Sequence, residues 1–395
     1  MSRIALVLGL LAAVGPFAID MYLPALPMVA ADLGASIAGV QATLSAFFIA
    51  FGVSQLVYGP LSDRMGRRPP LLIGLGVFLL GTLGCVLAPD VGWLTAARVV
   101  QGIGAAAVMV VPRAVIRDLH SGPAAAQMMA TVMLVIAVSP MLAPLAGSGV
   151  MAVAGWRAIF GVLAVAGAIS ILLTIFALPE TLAPAERNSI RPADLARGAA
   201  RLMTDRTFLG LTFAAGFGLA SFFVFIASAS FVYTGAFGLS PTEFSLAFAL
   251  NAFGFFAASQ AAGRLGARFG MERLVMGGVV GFAVVTAALL VATLAGHGSL
   301  PVIAAALFVA NAFLGLVIPT SAVLALDPHP DIAGLASSLG GTLQMVAGGL
   351  MITLLAPFFD GTPLPMVAAI ALCGGLALIA ALALAGARPR PCVAD

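Results

Sequence analysis

LLIGLGVFLLGTLGCVLA, residues 71–88, contains no charged side chain. Arg67, Arg68, Pro69 and Pro70 precede it, and Pro89 and Asp90 follow it. Crossing the hydrocarbon core as a helix takes about 20 mostly apolar residues, so this run spans a bilayer. Read outward from it, the pattern recurs, and the expected spans are 4–27, 40–61, 71–89, 93–116, 126–152, 157–178, 207–233, 243–262, 274–295, 300–325, 332–356 and 364–386. The strands of a membrane barrel alternate apolar and polar residues over about 10 positions. These runs are continuous, and helices are the other structure that satisfies every backbone group in lipid.

Composition agrees. The chain has 395 residues, 62% hydrophobic and 8% charged, where a soluble domain carries about 25% charged residues. That charge cannot cover a soluble globule, and the apolar content excludes disorder. Twelve spans with short loops leave no room for a separate soluble domain. The first run resembles a signal peptide in length, but Asp20, Pro24 and Pro27 oppose a cleavage site, so a retained helix is expected. Cys85, Cys373 and Cys392 are too scattered for a disulfide framework, and His120, His297 and His329 have no ligand spacing. No G-x-x-x-x-G-K-[ST] loop is present, which argues against ATP as the driving force. No metal, cofactor, nucleic-acid partner or catalytic activity is expected.

The one long polar stretch, 179–206, separates six spans from six. It divides the chain into an N-terminal half (1–178), a cytoplasmic linker (179–206) and a C-terminal half with a short cytoplasmic tail (207–395). Within the linker, 193–203 reads as an amphipathic helix on the membrane surface. All 18 basic residues are arginines. Arg98 and Arg113 lie inside the fourth span and Arg157 on one side. The remaining fifteen, from Arg3 and the 64–68 loop through the linker to Arg388 and Arg390, fall on the other. Arginine excess marks the cytoplasmic face, so both termini and the linker are expected there. GPLSDRMG from Gly59 is echoed by GRLGARFG from Gly263, with Ala267 in place of Asp63. Two six-helix halves with matching loops predict an all-α, pseudo-symmetric transporter with its site at the interface between halves.

GPLSDRMGRRP (59–69) resembles the signature G-x-L-x-D-R-x-G-R-R of the major facilitator superfamily, between helices 2 and 3. The resemblance implies a gating loop of Gly59, Asp63, Arg64, Gly66, Arg67 and Arg68. DMYLPALP (20–27), RVVQGIGAA (98–106), SPMLAPLAG (139–147) and GWRAIF (155–160) together resemble the Bcr/CflA branch of drug:proton antiporters, which includes bicyclomycin and chloramphenicol exporters. This likeness is strongest in the first half and thin after residue 280. It implies an antiporter motif in helix 5 at Ser139, Pro140, Pro144 and Gly147. The usual G-P-x-x-G-G appears here with Ala143 and Ser148 at its ends, small-for-small changes that keep close packing.

Asp20 is the one acid deep inside a span of the first half. A charge at mid-bilayer costs at least about 2.5–3.5 kcal/mol, so Asp20 should face the bundle interior. Burial and a nearby cation act on a carboxyl's proton affinity in opposite senses, which suits proton coupling; a structural contact to backbone freed by Pro16 or Pro24 is the competing reading. Arg98 lies at similar depth, counted at about 1.5 Å per residue, and is the expected partner. In the resembling family this arginine is linked to proton coupling. Snorkelling to headgroups competes for Arg98 and equally for Arg113, one turn from Arg117. Asp63 can pair with Arg67 at i+4 or face a helix N-terminus across the half-interface. Asp327 and Asp331 are expected to meet the basic loop when the inner side closes. By analogy with the family, helices 1, 4, 7 and 10 line the substrate cavity. The candidates are Tyr22, Gln101, Met109, Arg113, Phe222, Phe223, Phe225, Asn251 and Asn311, with Gln41, Tyr233, Phe313 and Gln344 beside them.

The expectation is a monomeric, proton-coupled exporter of small, largely apolar drugs in the bacterial inner membrane, working by alternating access. An exporter of an amino acid, sugar or siderophore, or a lipid-handling membrane protein, is the alternative. An anionic metabolite would require more buried arginine than Arg98 and Arg113.

Overall fold

The computed structural model describes residues 3–120, 122–187 and 192–385. Arg191, Arg388, Arg390 and Cys392 lie outside these residues. Among the described residues twelve helical stretches are long and apolar enough to cross a membrane, and there is no strand. The protein is a multi-pass membrane protein.

The first stretch is composite: α1 (Arg3–Asp20) and α2 (Leu26–Asp32) are joined through Met21, Tyr22 and a 3-10 turn at Leu23–Ala25. The other spans of the first half are α3 (Ile37–Met65), α4 (Arg68–Val86), α5 (Val91–Leu119), α6 (Gly122–Ala154) and α7 (Trp156–Phe176). After a linker helix, α8 (Pro192–Thr204), come α9 (Arg206–Phe231), α10 (Pro241–Phe269), α11 (Met271–Ala292), α12 (Leu300–Leu326), α13 (Ala333–Leu355) and α14 (Pro363–Ala385).

Two expectations change here. The first span does not run unbroken over 4–27; the helix stops at Asp20, because Pro24 has no N–H to donate to the Asp20 carbonyl. The linker helix does form, but its apolar edge packs on protein. Leu202 is fully buried, a Cβ on Gly198 would stand 2.7 Å from Leu335 of α13, and Arg201 pairs with Asp331 at 2.7 Å. In this conformation, with cavities between the halves on the linker side, Asp331 is engaged by the linker helix.

Chain ends of the spans are capped where they meet the interface. Ser36 accepts from Gly39 N–H at 3.1 Å, Asp90 from Trp93 N–H at 2.8 Å, and Asp205 from Thr207 and Phe208 N–H at 2.7 and 3.0 Å. Ser240 and Glu243 form a capping box at α10. These caps satisfy N–H groups that lipid cannot.

Inside the bilayer helices gain little from apolar burial, and small residues let their backbones approach. A Cβ on Gly104 of α5 would stand 2.2 Å from the Phe78 nitrogen and 2.5 Å from the Gly74 carbonyl oxygen of α4. One on Gly102 would stand 2.6 Å from the Phe47 carbonyl oxygen of α3. The two halves meet directly on the side away from the linker. Phe48 stacks on Phe223 with centroids 4.0 Å apart, Gln41 Nε2 donates to the Ala227 carbonyl at 3.2 Å, and Ser245 Oγ donates to the Pro144 carbonyl at 3.0 Å. Thr342 Oγ1 donates to the Gly52 carbonyl at 2.7 Å. Towards the linker side the halves separate around two cavities.

Gly104→Ala should lower stability by about 1–3 kcal/mol through overpacking. Gly76→Ala, where a Cβ meets nothing within 4 Å, should leave it unchanged or slightly raised. Thermal unfolding of the two variants in detergent measures the difference.

Candidate transport site

Arg98 has no exposed surface, and three helices enclose it. Its Nη1 donates to the Ala18 carbonyl of α1 at 3.0 Å and to Gln101 Oε1 at 2.5 Å. The Ala18 carbonyl belongs to the last turn of α1, where carbonyls lack helical partners. The Arg98 guanidinium carbon lies 4.3 Å from the Phe47 ring centroid, 5.2 Å from that of Tyr22 and 6.0 Å from that of Phe160. These rings supply cation–π attraction in place of a counter-ion. Gln101 is oriented in turn by donating to Thr82 Oγ1 at 2.8 Å, and Tyr22 is held to Thr43 at 3.2 Å.

Asp20 is buried, 4% exposed, two residues beyond the carbonyl that Arg98 holds. The expected ion pair between the two is absent from this conformation: among the described residues no hydrogen bond or ion pair engages the Asp20 carboxyl. The freed Ala18 carbonyl and Gln101 take Nη1 of the guanidinium, and its Nε and Nη2 have no hydrogen-bond partner. Of the antiporter motif, Gly147 sits beside the same break: a Cβ there would stand 2.1 Å from the Met21 carbonyl oxygen. Pro140 and Pro144 lie within α6, Ser139 Oγ returns to the Val135 carbonyl, and Pro144 receives the bond from Ser245 across the halves.

A cavity of about 240 Å³ lies between the halves. Met109 and Arg113 of α5 line it, facing Gln55 of α3, Thr212 of α9, Ser321 of α12 and Gln344 of α13. Arg113 thus points into the bundle and not out to headgroups. The lining expected of the other candidates is not what this conformation shows. Tyr22 and Gln101 surround Arg98. Phe222 and Phe225 pack with Phe248 at 6.0 and 5.7 Å, inside the second half, and Phe223 stacks on Phe48. Asn311 donates to Asn251 at 3.5 Å, both buried. Helix α1 packs on α6, α5 and α7 and contributes no residue to this cavity, whose walls come from α3, α5, α9, α12 and α13. Gln55 and Ser321 were legible only as polar residues in apolar spans. Phe47 and Phe160 carried no signal as partners of Arg98, because they belong to different helices.

The loop between α3 and α4 is tied within its own half. Arg67, 5% exposed, holds Asp63 at 2.5 Å and Asp118 through Nε and Nη2 at 2.7 and 3.0 Å. Gly66 has φ +96, and a Cβ there would stand 2.7 Å from Glu180 Oε2. Glu180 accepts from Arg67 N–H at 2.7 Å and Arg68 N–H at 3.1 Å. Burial works to raise the Glu180 carboxyl's pKa, but the N–H groups of Arg67, Arg68, Leu182 and Thr181 outweigh it and hold it below the usual range. Arg64 is exposed. Asp63 and Gly59 line a second cavity, about 350 Å³, opposite Gly334 and Ser338 near the N-terminus of α13. Asp118 and Glu180 were not expected in this network; they lie more than 50 and 110 residues away in the chain.

With this geometry described, comparison with known proteins decides the family. Residues 8–350 match the profile of the Major Facilitator Superfamily. This chain belongs to the major facilitator superfamily. It is 33% identical to the "Bicyclomycin resistance protein homolog" of Haemophilus influenzae, over 95% of this chain and 94% of that one. It is 33% identical to "Multidrug resistance protein D" of Escherichia coli, over 90% and 88%. Among solved structures a D-xylose-proton symporter superposes with a TM-score of 0.75 at 17% identity, covering 98% of each chain. That likeness shows the superfamily fold, twelve helices in two pseudo-symmetric halves.

Arg67→Ala should cost about 3 kcal/mol by stranding Asp118. Arg157→Ala, which breaks a pair with Asp32 whose side chains are 41% and 45% exposed, should cost less than about 1 kcal/mol. Because the Glu180 pKa is lowered on folding, its contribution is complete above the ordinary value of about 4.3 and fades as pH falls through the lowered one. Melting curves should therefore show the Glu180→Gln penalty at pH 6–8 and its disappearance in acid.

Proposed function

We propose that this chain is a proton-coupled exporter of small, largely apolar drugs. It acts as a monomer in the bacterial inner membrane with both termini cytoplasmic. The relatives named for bicyclomycin and multidrug resistance, each matching nine-tenths or more of the chain, support the cargo class. The observation that carries the coupling is the unpartnered Asp20 carboxyl at the break in the first span. It lies two residues from the carbonyl anchored by Arg98 and one from the carbonyl against Gly147.

In the arginine-based orientation, the sealed side is periplasmic and the cavities open towards the cytoplasm. Drug enters the cavity beside Arg113 and Met109. Rocking of the halves breaks the Phe48–Phe223 and Gln41–Ala227 contacts and exposes the site outside. Asp20 takes a proton there. On return it releases the proton inward, while Arg98 exchanges the Ala18 carbonyl for the Asp20 carboxylate. Glycine contacts at Gly102 and Gly147 let the helices slide without side-chain obstruction. One proton moving through 100 mV yields about 2.3 kcal/mol, and one pH unit adds about 1.4 kcal/mol. Together they support a drug gradient of more than a hundredfold for a neutral cargo.

Expressed in an efflux-deficient bacterial host, the chain should raise resistance to a subset of a drug panel, and a protonophore should abolish the effect. Asp20→Asn should reach the membrane at normal levels and confer no resistance; full resistance from that variant sinks the coupling role.

A further inference from the structure

The two arginines inside the α5 span differ. Arg98 is engaged through Nη1 by a carbonyl and a glutamine and covered by three rings, while its Nε and Nη2 stay buried without a hydrogen-bond partner. Arg113 has no hydrogen bond, ion pair or ring contact among the described residues, and its Nε is buried without a partner. The next charge on its own helix is Arg117, one turn on. None of the residues lining the cavity that Arg113 enters is an aspartate or a glutamate. Ser321 Oγ, across the same cavity, is also buried without a partner, and Gln55 and Gln344 add amide groups to the wall. The rest of the lining is apolar or small.

A half-buried guanidinium with a buried, unpartnered Nε and no counter-charge carries a desolvation cost, and it is an efficient receptor for planar oxygen acceptors. We propose that the cavity selects its cargo by charge: it takes compact, mostly apolar molecules bearing a single anionic or strongly accepting oxygen group, which one arginine can hold where a polar anionic metabolite would need more, the group seating on Arg113 and Ser321, and it excludes organic cations. This deepens the exporter reading by naming the substrate class of the same cavity. Arg113 is then a specificity residue, and its own positive charge is the excluding element. This wall offers a cationic drug no acid to pair with.

Equilibrium binding to purified protein at pH 7.5 tests the assignment with no gradient applied, so it stands or falls independently of export. The probes are radiolabelled salicylate, an aromatic carboxylate, and radiolabelled tetraphenylphosphonium, an aromatic cation. The intact protein should bind salicylate and discriminate against tetraphenylphosphonium. Arg113→Gln should weaken salicylate about 10- to 100-fold, the loss of one charge-assisted hydrogen-bonding partner, and Arg113→Lys should recover most of it. Arg113→Glu should invert the preference. Equal or tighter binding of tetraphenylphosphonium by the intact protein overturns the proposal without recourse to any variant. Unchanged salicylate affinity in a monodisperse Arg113→Gln protein overturns it as well. If salicylate binding depends on Arg113 while a protonophore leaves resistance untouched, the charge selection stands and the proton-coupled export reading falls.

Discussion

A guanidinium sealed inside an apolar bundle must find acceptors there, and the first half is arranged around how Arg98 does so. Its main acceptor is a backbone carbonyl, Ala18, available because α1 ends two residues later. The break and the arginine therefore require each other: without the break the carbonyl is used within the helix, and without Arg98 it is left unpaired. The same break puts Asp20 at the end of a helix, in a buried place where no hydrogen bond or ion pair engages its carboxyl among the described residues. Phe47, Tyr22 and Phe160 close the box with three ring faces, and glycine contacts bring the first two close. Gly102 admits the α3 backbone and Gly147 admits the turn after Asp20.

The interface between halves is uneven. Away from the linker it is held by ring stacking, close glycine contacts and three side-chain-to-carbonyl hydrogen bonds. On the linker side two cavities separate the halves, and the charged network of Arg67, Asp63, Asp118 and Glu180 joins the first half to the start of the linker and does not reach the second half. Such a network stiffens the loop as one body, so that the half can move against its partner without the loop deforming. The linker contacts the second half on that side through an exposed pair, Arg201–Asp331, where both side chains are more than half exposed, and through His329, buried, against Asp205 at 3.0 Å.

Much of this was legible in residues alone. The twelve spans follow from apolar runs, and the amphipathic linker helix appears within a residue of its expected ends. The i, i+4 pair Asp63–Arg67 also follows, because these features depend on local spacing. The composite first span was less visible: Pro24 announced a disturbance but not that the helix would stop four residues earlier. The Asp20–Arg98 pairing was inferred from equal depth, and depth was right while direct contact was not, since depth says nothing about which acceptor is nearer. Aromatic residues chosen as cavity liners became core, because an aromatic in an apolar span looks the same whether it faces a cavity or a neighbouring helix.

The sequence by itself determined the solvent of this protein, the number of its spans, the clustering of its arginines and the identity of its few intramembrane charges. These are consequences of composition and of periodicity along one chain, set by the length of a bilayer and the cost of charge within it. Only the tertiary structure decided the surroundings of those charges. It gave Arg98 a carbonyl and three rings, left Asp20 without a partner, tied Arg67 to Asp118 and Glu180, and turned Arg113 alone into a cavity without acids. The reason is physical: at the close approach that glycines permit, a polar group's environment is made of side chains from other helices, and no spacing within its own helix encodes them.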